Sequence, residues 1–138
     1  MNWRWFAVAA AALIAGCGGS DDAAYDLWET DSCLIDKGYS PALVETDDPA
    51  AFRGEPGANG VLEIKTDGGA VDIRFEDDAA TASARAGLLE KSAVAAGRAD
   101  AADAIETKRN VFYWAKGELK VGDRQFEAFD DVDDCLSD

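Results

Sequence analysis

Two stretches near the middle of the chain alternate apolar and polar residues with period two. The first is Val61-Leu62-Glu63-Ile64-Lys65 and the second is Val71-Asp72-Ile73-Arg74-Phe75-Glu76, with the turn-forming Asp67-Gly68-Gly69 between them. The pattern predicts a β-hairpin. Leu62, Ile64, Val71, Ile73 and Phe75 take the core side, and Glu63, Lys65, Asp72, Arg74 and Glu76 face outward, where opposite charges pair across the strands. A second hairpin is predicted over Ile105 to Lys116, turning at Arg109-Asn110. This register sets Ile105 against Trp114 and Thr107 against Phe112 on one face, and Glu106 against Tyr113 and Lys108 against Val111 on the other. A single continuous strand is the alternative, but it puts Arg109 in one row with Ile105 and Val111. Of the two turn residues only Asn110 readily takes positive φ.

Helical spacing appears in three places. Ala24, Leu27, Trp28, Leu34 and Ile35 predict a helix within 23–37 that carries Cys33 and stops at Gly38, although Asp31 breaks the stripe and the helix can begin as late as that residue. Asp77 or Asp78 caps an alanine-rich helix that ends at Gly97, with Leu88, Leu89 and Val94 as its large apolar residues and Gly87 read as a point of close packing. Asp123 opens a last helix with Phe129, Val132 and Leu136 inward and Cys135 beside them. Ala42-Leu43-Val44 reads as a short edge strand, and 47–60, with Pro49, Pro56 and three glycines, as a long loop. The order α-(β)-ββα-ββα predicts an α+β fold, an antiparallel sheet of four to five strands with helices packed on one face.

The first seventeen residues belong to a different pattern. Arg4 precedes nine apolar residues, Phe6 to Ile14, followed by Ala15-Gly16-Cys17. Nine helical residues span about 14 Å, too short for a hydrocarbon core of roughly 30 Å, but this length and these flanks suit a cleaved signal. Ile14-Ala15-Gly16-Cys17 has the aliphatic-small-small-cysteine form of a lipobox, and the leader resembles that of bacterial lipoproteins. That resemblance implies a diacylglycerol thioether on Cys17, cleavage before it, and acylation (palmitate among the acids used) of the new amine. Two or more acyl chains make anchoring stable where one is reversible. The expected layout is a signal peptide at 1–16, a lipidated tether at 17–24, and one extracytoplasmic domain at 25–138. Gly18 to Ala24 reaches at most about 25 Å, which keeps the domain near the bilayer. The mature part resembles small extracytoplasmic domains with a cysteine in the first helix and a Cys-Leu near the end, here Cys33-Leu34 and Cys135-Leu136.

Export changes the reading of the cysteines. With Cys17 lipidated, Cys33 and Cys135 remain, and an oxidising compartment favours a disulfide between them over two free thiols or a redox pair, which usually has Cys-x-x-Cys spacing. A loop of roughly 100 residues is worth up to about 4.7 kcal/mol in the chain-entropy model. Charge narrows the partners. Thirteen basic and twenty-eight acidic residues give −15, and loss of Arg4 with the leader makes the mature chain more acidic still. Nucleic acid is excluded as a partner, because it is held through basic phosphate contacts, and the domain is not expected to lie flat on anionic lipid.

Chemistry is sparse. The chain has no histidine, which removes the commonest general base and metal ligand. Nucleophile, phosphate-loop and EF-hand motifs are absent, and no enzyme activity and no cofactor is expected. Asp130, Asp131, Asp133 and Asp134 crowd the end of the last helix, where like charges repel one another and the helix dipole disfavours them further. They are the candidate contacts for a cation or a basic partner, beside a plain solvated face. Phe112 and Trp114 read as core, and Tyr113 as the better exposed contact. The expected function is a membrane-anchored, non-catalytic interaction module at the outer face of the cytoplasmic membrane, contacting an envelope protein. The alternative is a lipoprotein that binds a cation or small ligand through its acidic clusters.

Overall fold

A computed structural model of the chain describes residues 23–66, 68–116 and 124–137. The leader, Cys17, most of the tether, Asp67 and Asp123 lie outside them. The elements are α1 (Leu27–Asp36), β1 (Ala42–Glu45), α2 (Pro49–Phe52), β2 (Gly60–Thr66), β3 (Gly69–Phe75), α3 (Ala79–Ala95), α4 (Ala99–Asp103), β4 (Glu106–Lys108), β5 (Val111–Lys116) and α5 (Arg124–Cys135). The fold is α+β. Five strands form one open antiparallel sheet in the order β1-β2-β3-β5-β4. None of the described helices is long and apolar enough to cross a membrane.

Both predicted hairpins form, the second in the predicted register. Val71 pairs with Ile64 and Ile73 with Leu62; Glu106 pairs with Tyr113, Thr107 with Phe112 and Lys108 with Val111. At the β4–β5 turn, however, Arg109 takes the left-handed conformation (φ 50°), not Asn110. Asn110 is needed elsewhere. Its buried amide accepts from Tyr25 N (2.7 Å) and donates to Tyr25 O and Glu76 O (both 3.1 Å), tying the chain's entry into α1 and the end of β3 to the turn. Arg109 reinforces this junction by lying over the Tyr25 ring, 4.8 Å from its centroid.

α1 begins on the Asp26 cap, whose Oδ1 accepts from Trp28 N and Glu29 N, and stops at Gly38 (φ 96°). It packs beside α5 on one face of the sheet. Leu27 and Leu34 from α1, with Ala128, Val132 and Leu136 from the α5 region, close over Leu62, Ile64, Val71, Ile73, Phe75, Val111 and Tyr113. Cys33 and Cys135 are joined in a disulfide (Cα–Cα 5.9 Å), which fastens the first helix to the last.

One-sided layering holds for α1 and α5 but not for α3. The cause lies in β5, which is apolar on both sides. Val111, Tyr113 and Ala115 point to the main core, and Phe112 and Trp114 point to the other face. α3, capped by Asp78, covers that second surface by seating Ala82 and Ala86 on Phe112, with Leu89 and Ile105 at the margin. The close approach therefore comes from these alanines. A Cβ placed on Gly87 would meet nothing within 4 Å, so Gly87 is not a packing contact, and Leu88 and Val94 are exposed. The segment expected as a loop also contains the short α2, with Pro49 in its first turn and Asp48 as cap.

Candidate functional site

Because α3 sits over β4 and β5, the β1–β3 half of the second sheet face has no helix over it among the described residues. A groove of about 460 Å³ runs between that half-sheet and α3. Its walls are Leu88 (63% exposed), Val44 and Trp114. The floor is built by alternation: apart from the buried Val61, the outward residues of the first hairpin that line it are charged, and two rows of them cross the strands.

In one row Glu63 pairs in register with Asp72, and Asp72 with Trp114. Like charges directly opposite repel, and Lys116 sits between the two acids, 2.7 Å from Asp72 Oδ2 and 3.2 Å from Glu63 Oε2. In the next row Arg74 reaches Glu45 on β1 and lies 3.7 Å from Glu76, which is also 3.2 Å from Arg85 of α3. Alternation alone predicts that all of these face outward into solvent. They do face away from the main core, but Asp72 (4% exposed) and Glu76 (7% exposed) are buried. They are the two buried acids among the described residues. Burial pushes the Asp72 carboxyl above its ordinary range, opposed chiefly by the Lys116 hydrogen bond. Glu76 is pushed up by the same cause, opposed by Arg85 and Arg74. Asp72 Oδ1 and Glu76 Oε1 are each buried without a hydrogen bond among the described residues. A larger hollow of about 840 Å³ lies beside α1 and the Gly54–Gly57 turn, but none of the charged residues lining it is buried.

The four aspartates of α5 are placed differently. Tyr39 Oη donates to Asp131 (2.6 Å), and Lys37 lies 3.5 Å from Asp131 and 3.6 Å from Asp134. Asp133 accepts from Tyr113 Oη (2.6 Å) and pairs with Lys108 (2.7 Å), contacts that hold its carboxyl below the usual range. Asp130 is exposed. Three of the four are thus stitches from α5 to α1, β4 and β5, and no group of three or more metal-ligating side chains converges among the described residues. Tyr113, expected as an exposed contact, is fully buried. Its ring packs on Phe129, while burial and the Asp133 hydrogen bond push its hydroxyl pKa up. Phe112 and Trp114 stack at 5.4 Å, Phe112 buried and Trp114 partly so.

No family model, curated protein or solved structure matches the chain. The groove and the buried Asp72 that lines it are therefore what bears on function.

Proposed function

We propose that the protein is a lipid-anchored interaction module of the bacterial envelope, held at the membrane through Cys17 and contacting its partner through the groove between α3 and the β1–β3 half-sheet. The anchoring half of this reading rests on the lipobox Ile14-Ala15-Gly16-Cys17. The contact half rests on one observation: Asp72, one of the two buried acids among the described residues, lines this groove, and its Oδ1 has no hydrogen-bond partner among them. A domain selected for stability alone replaces such a group, because an unpaired buried polar atom costs about 1–3 kcal/mol.

General acid–base chemistry is a second reading, favoured by the raised pKa of Asp72 beside Glu63. Lys116 weighs against it. Its ammonium holds both carboxylates at hydrogen-bonding distance, where a reacting group needs access to them.

Two experiments test the proposal. Intact mass and fractionation from the native host, beside Cys17→Ala, are expected to show a membrane-bound, acylated chain beginning at residue 17 and a variant released from the membrane. A photo-cross-linking residue at Leu88 is expected to give a discrete adduct that the same residue at Val94 or Ile35 does not. Those positions are similarly exposed, at 58% and 53%, but lie outside the groove. Equal labelling from all three sites removes the groove from the proposal.

A further inference from the structure

Of the asparagines Asn2, Asn59 and Asn110, only Asn59 precedes a glycine. That dipeptide is chemically labile. Glycine has no side chain to shield its amide nitrogen and turns freely, so Gly60 N can reach the Asn59 side-chain carbonyl carbon. Asn110 is followed by the β-branched Val111, which hinders the same approach. Packing keeps the labile pair in place. A Cβ on Gly60 would lie 2.9 Å from Leu43 Cδ1, 3.0 Å from Glu45 O and 3.3 Å from Leu27 Cδ1, so a larger residue there displaces β1. Asn59 itself is clamped. Its N donates to Asp48 Oδ2 (3.0 Å), its O accepts from Thr46 Oγ1 (2.7 Å), and its Nδ2 donates to Asp77 Oδ1 (2.6 Å). These contacts close the 46–59 segment between β1 and β2 and join it to the connection between β3 and α3.

We infer that Asn59 is a site of spontaneous deamidation that this clamp holds in check, and that its conversion unfastens the 46–59 segment. Water is the co-reactant. Gly60 N gives up its proton to solvent and bonds to Asn59 Cγ; the Cγ–Nδ2 bond breaks, and ammonia leaves with a proton taken from water. Water then opens the cyclic imide at either carbonyl and gives aspartate or isoaspartate, with no change of oxidation state. In the clamped state the side-chain amide is committed to Asp77 and the backbone to Asp48 and Thr46. The turn that brings Gly60 N onto Cγ therefore runs through the opened segment. Reclosure is then opposed. Where Nδ2 donated to Asp77, the product sets carboxylate against carboxylate, and such a pair does not readily hold both charges. Isoaspartate also adds a carbon to the main chain directly before Gly60, where Leu43 and Glu45 leave no room for a shift. Opening thus becomes one-way. The site is independent of the groove, because Thr46, Asp48, Asn59 and Asp77 do not line it.

The test incubates the full-length protein in neutral detergent at mildly alkaline pH, and resolves aspartyl from isoaspartyl products by peptide mapping. Asn59 is expected to convert at least about ten-fold more slowly in the native protein than in the urea-unfolded chain. Asp77→Ala removes one contact of the clamp and is expected to speed native conversion roughly five-fold. Converted protein is expected to melt about 3–8 °C lower and to be cut by trypsin after Arg53, inside the segment, about five-fold faster. Asn59→Asp is expected to reproduce both effects. Asn59→Asp with Asp77→Asn exchanges donor and acceptor and is expected to restore the melting temperature. Equal conversion of native and unfolded chains, conversion in neither, or an unchanged rate in Asp77→Ala overturns the inference. So does converted protein that melts and is cut like wild type, or an exchanged pair no more stable than Asn59→Asp alone. If Asn59→Asp does not fold, the converted wild-type protein decides: melting or cleavage unchanged by conversion overturns the inference.

Discussion

Asp72 and Asn110 show how differently a buried polar residue can be held. Asn110 has three amide hydrogen bonds, to Tyr25 and Glu76, and is a closed structural joint. Asp72 has one partnered oxygen and one bare one. Its folded pKa is raised above the unfolded value, so the folded state at neutral pH holds a charge it disfavours. The resulting destabilisation is present above the folded pKa, declines as pH falls through it, and is gone below the ordinary aspartate value of about 3.9. Asp72→Asn mimics the protonated form, and Lys116 keeps Glu63 as a partner. The variant is expected to melt higher than wild type at pH 7, with the gap closing by about pH 4; melting curves across that range check it. A variant that melts lower throughout would make Asp72 a structural ion-pair residue. Neither role is legible in the amino-acid pattern. Alternation assigns Asp72 correctly to the second face, but not its burial there, where its register neighbour Trp114 comes from a strand about forty residues on. The partners of Asn110 lie 85 and 34 residues away.

At the scale of elements, strands are more legible than helix placement. Period-two alternation marks which side of β2 and β3 meets the core, and a slip of one residue would expose every apolar side chain, so the registers can be read in advance. The same alternation in β5 leaves large apolar residues on both sides, a sign that a helix must cover each face. The position of α3 follows from it. This helix is loosely engaged beyond its first turns, with Leu88 and Val94 exposed. Gly87 lies on it with open space where a Cβ would go, so it brings only the entropic cost of a helical glycine. Gly87→Ala is expected to stabilise the domain by roughly 1 kcal/mol, measured by urea unfolding. Destabilisation would mean that the backbone at this position approaches a neighbour. The α5 aspartates show the converse. Four acids at a helix C-terminus look uncompensated in sequence, but Lys37, Tyr39, Lys108 and Tyr113 come from distant segments to meet three of them.

Over the whole molecule, one covalent tie and one excess of charge act against each other. The Cys33–Cys135 bridge, 102 residues apart, closes nearly the entire folded domain. It restricts the unfolded chain more than a short loop would, with a typical contribution of about 2–4 kcal/mol. Cys33→Ala with Cys135→Ala is expected to lower the melting temperature by roughly 10–25 °C, and reduction of the native protein should match it. The opposing term is the net charge of −15, which repels itself most strongly in the compact state. Exposed ion pairs such as Arg53–Glu55 contribute little and are screened together with the repulsion. Raising sodium chloride from about 0.02 to about 0.5 M, where the screening length shortens several-fold, is therefore expected to raise the melting temperature. A melting temperature that falls with salt would mean that the surface ion pairs outweigh the self-repulsion.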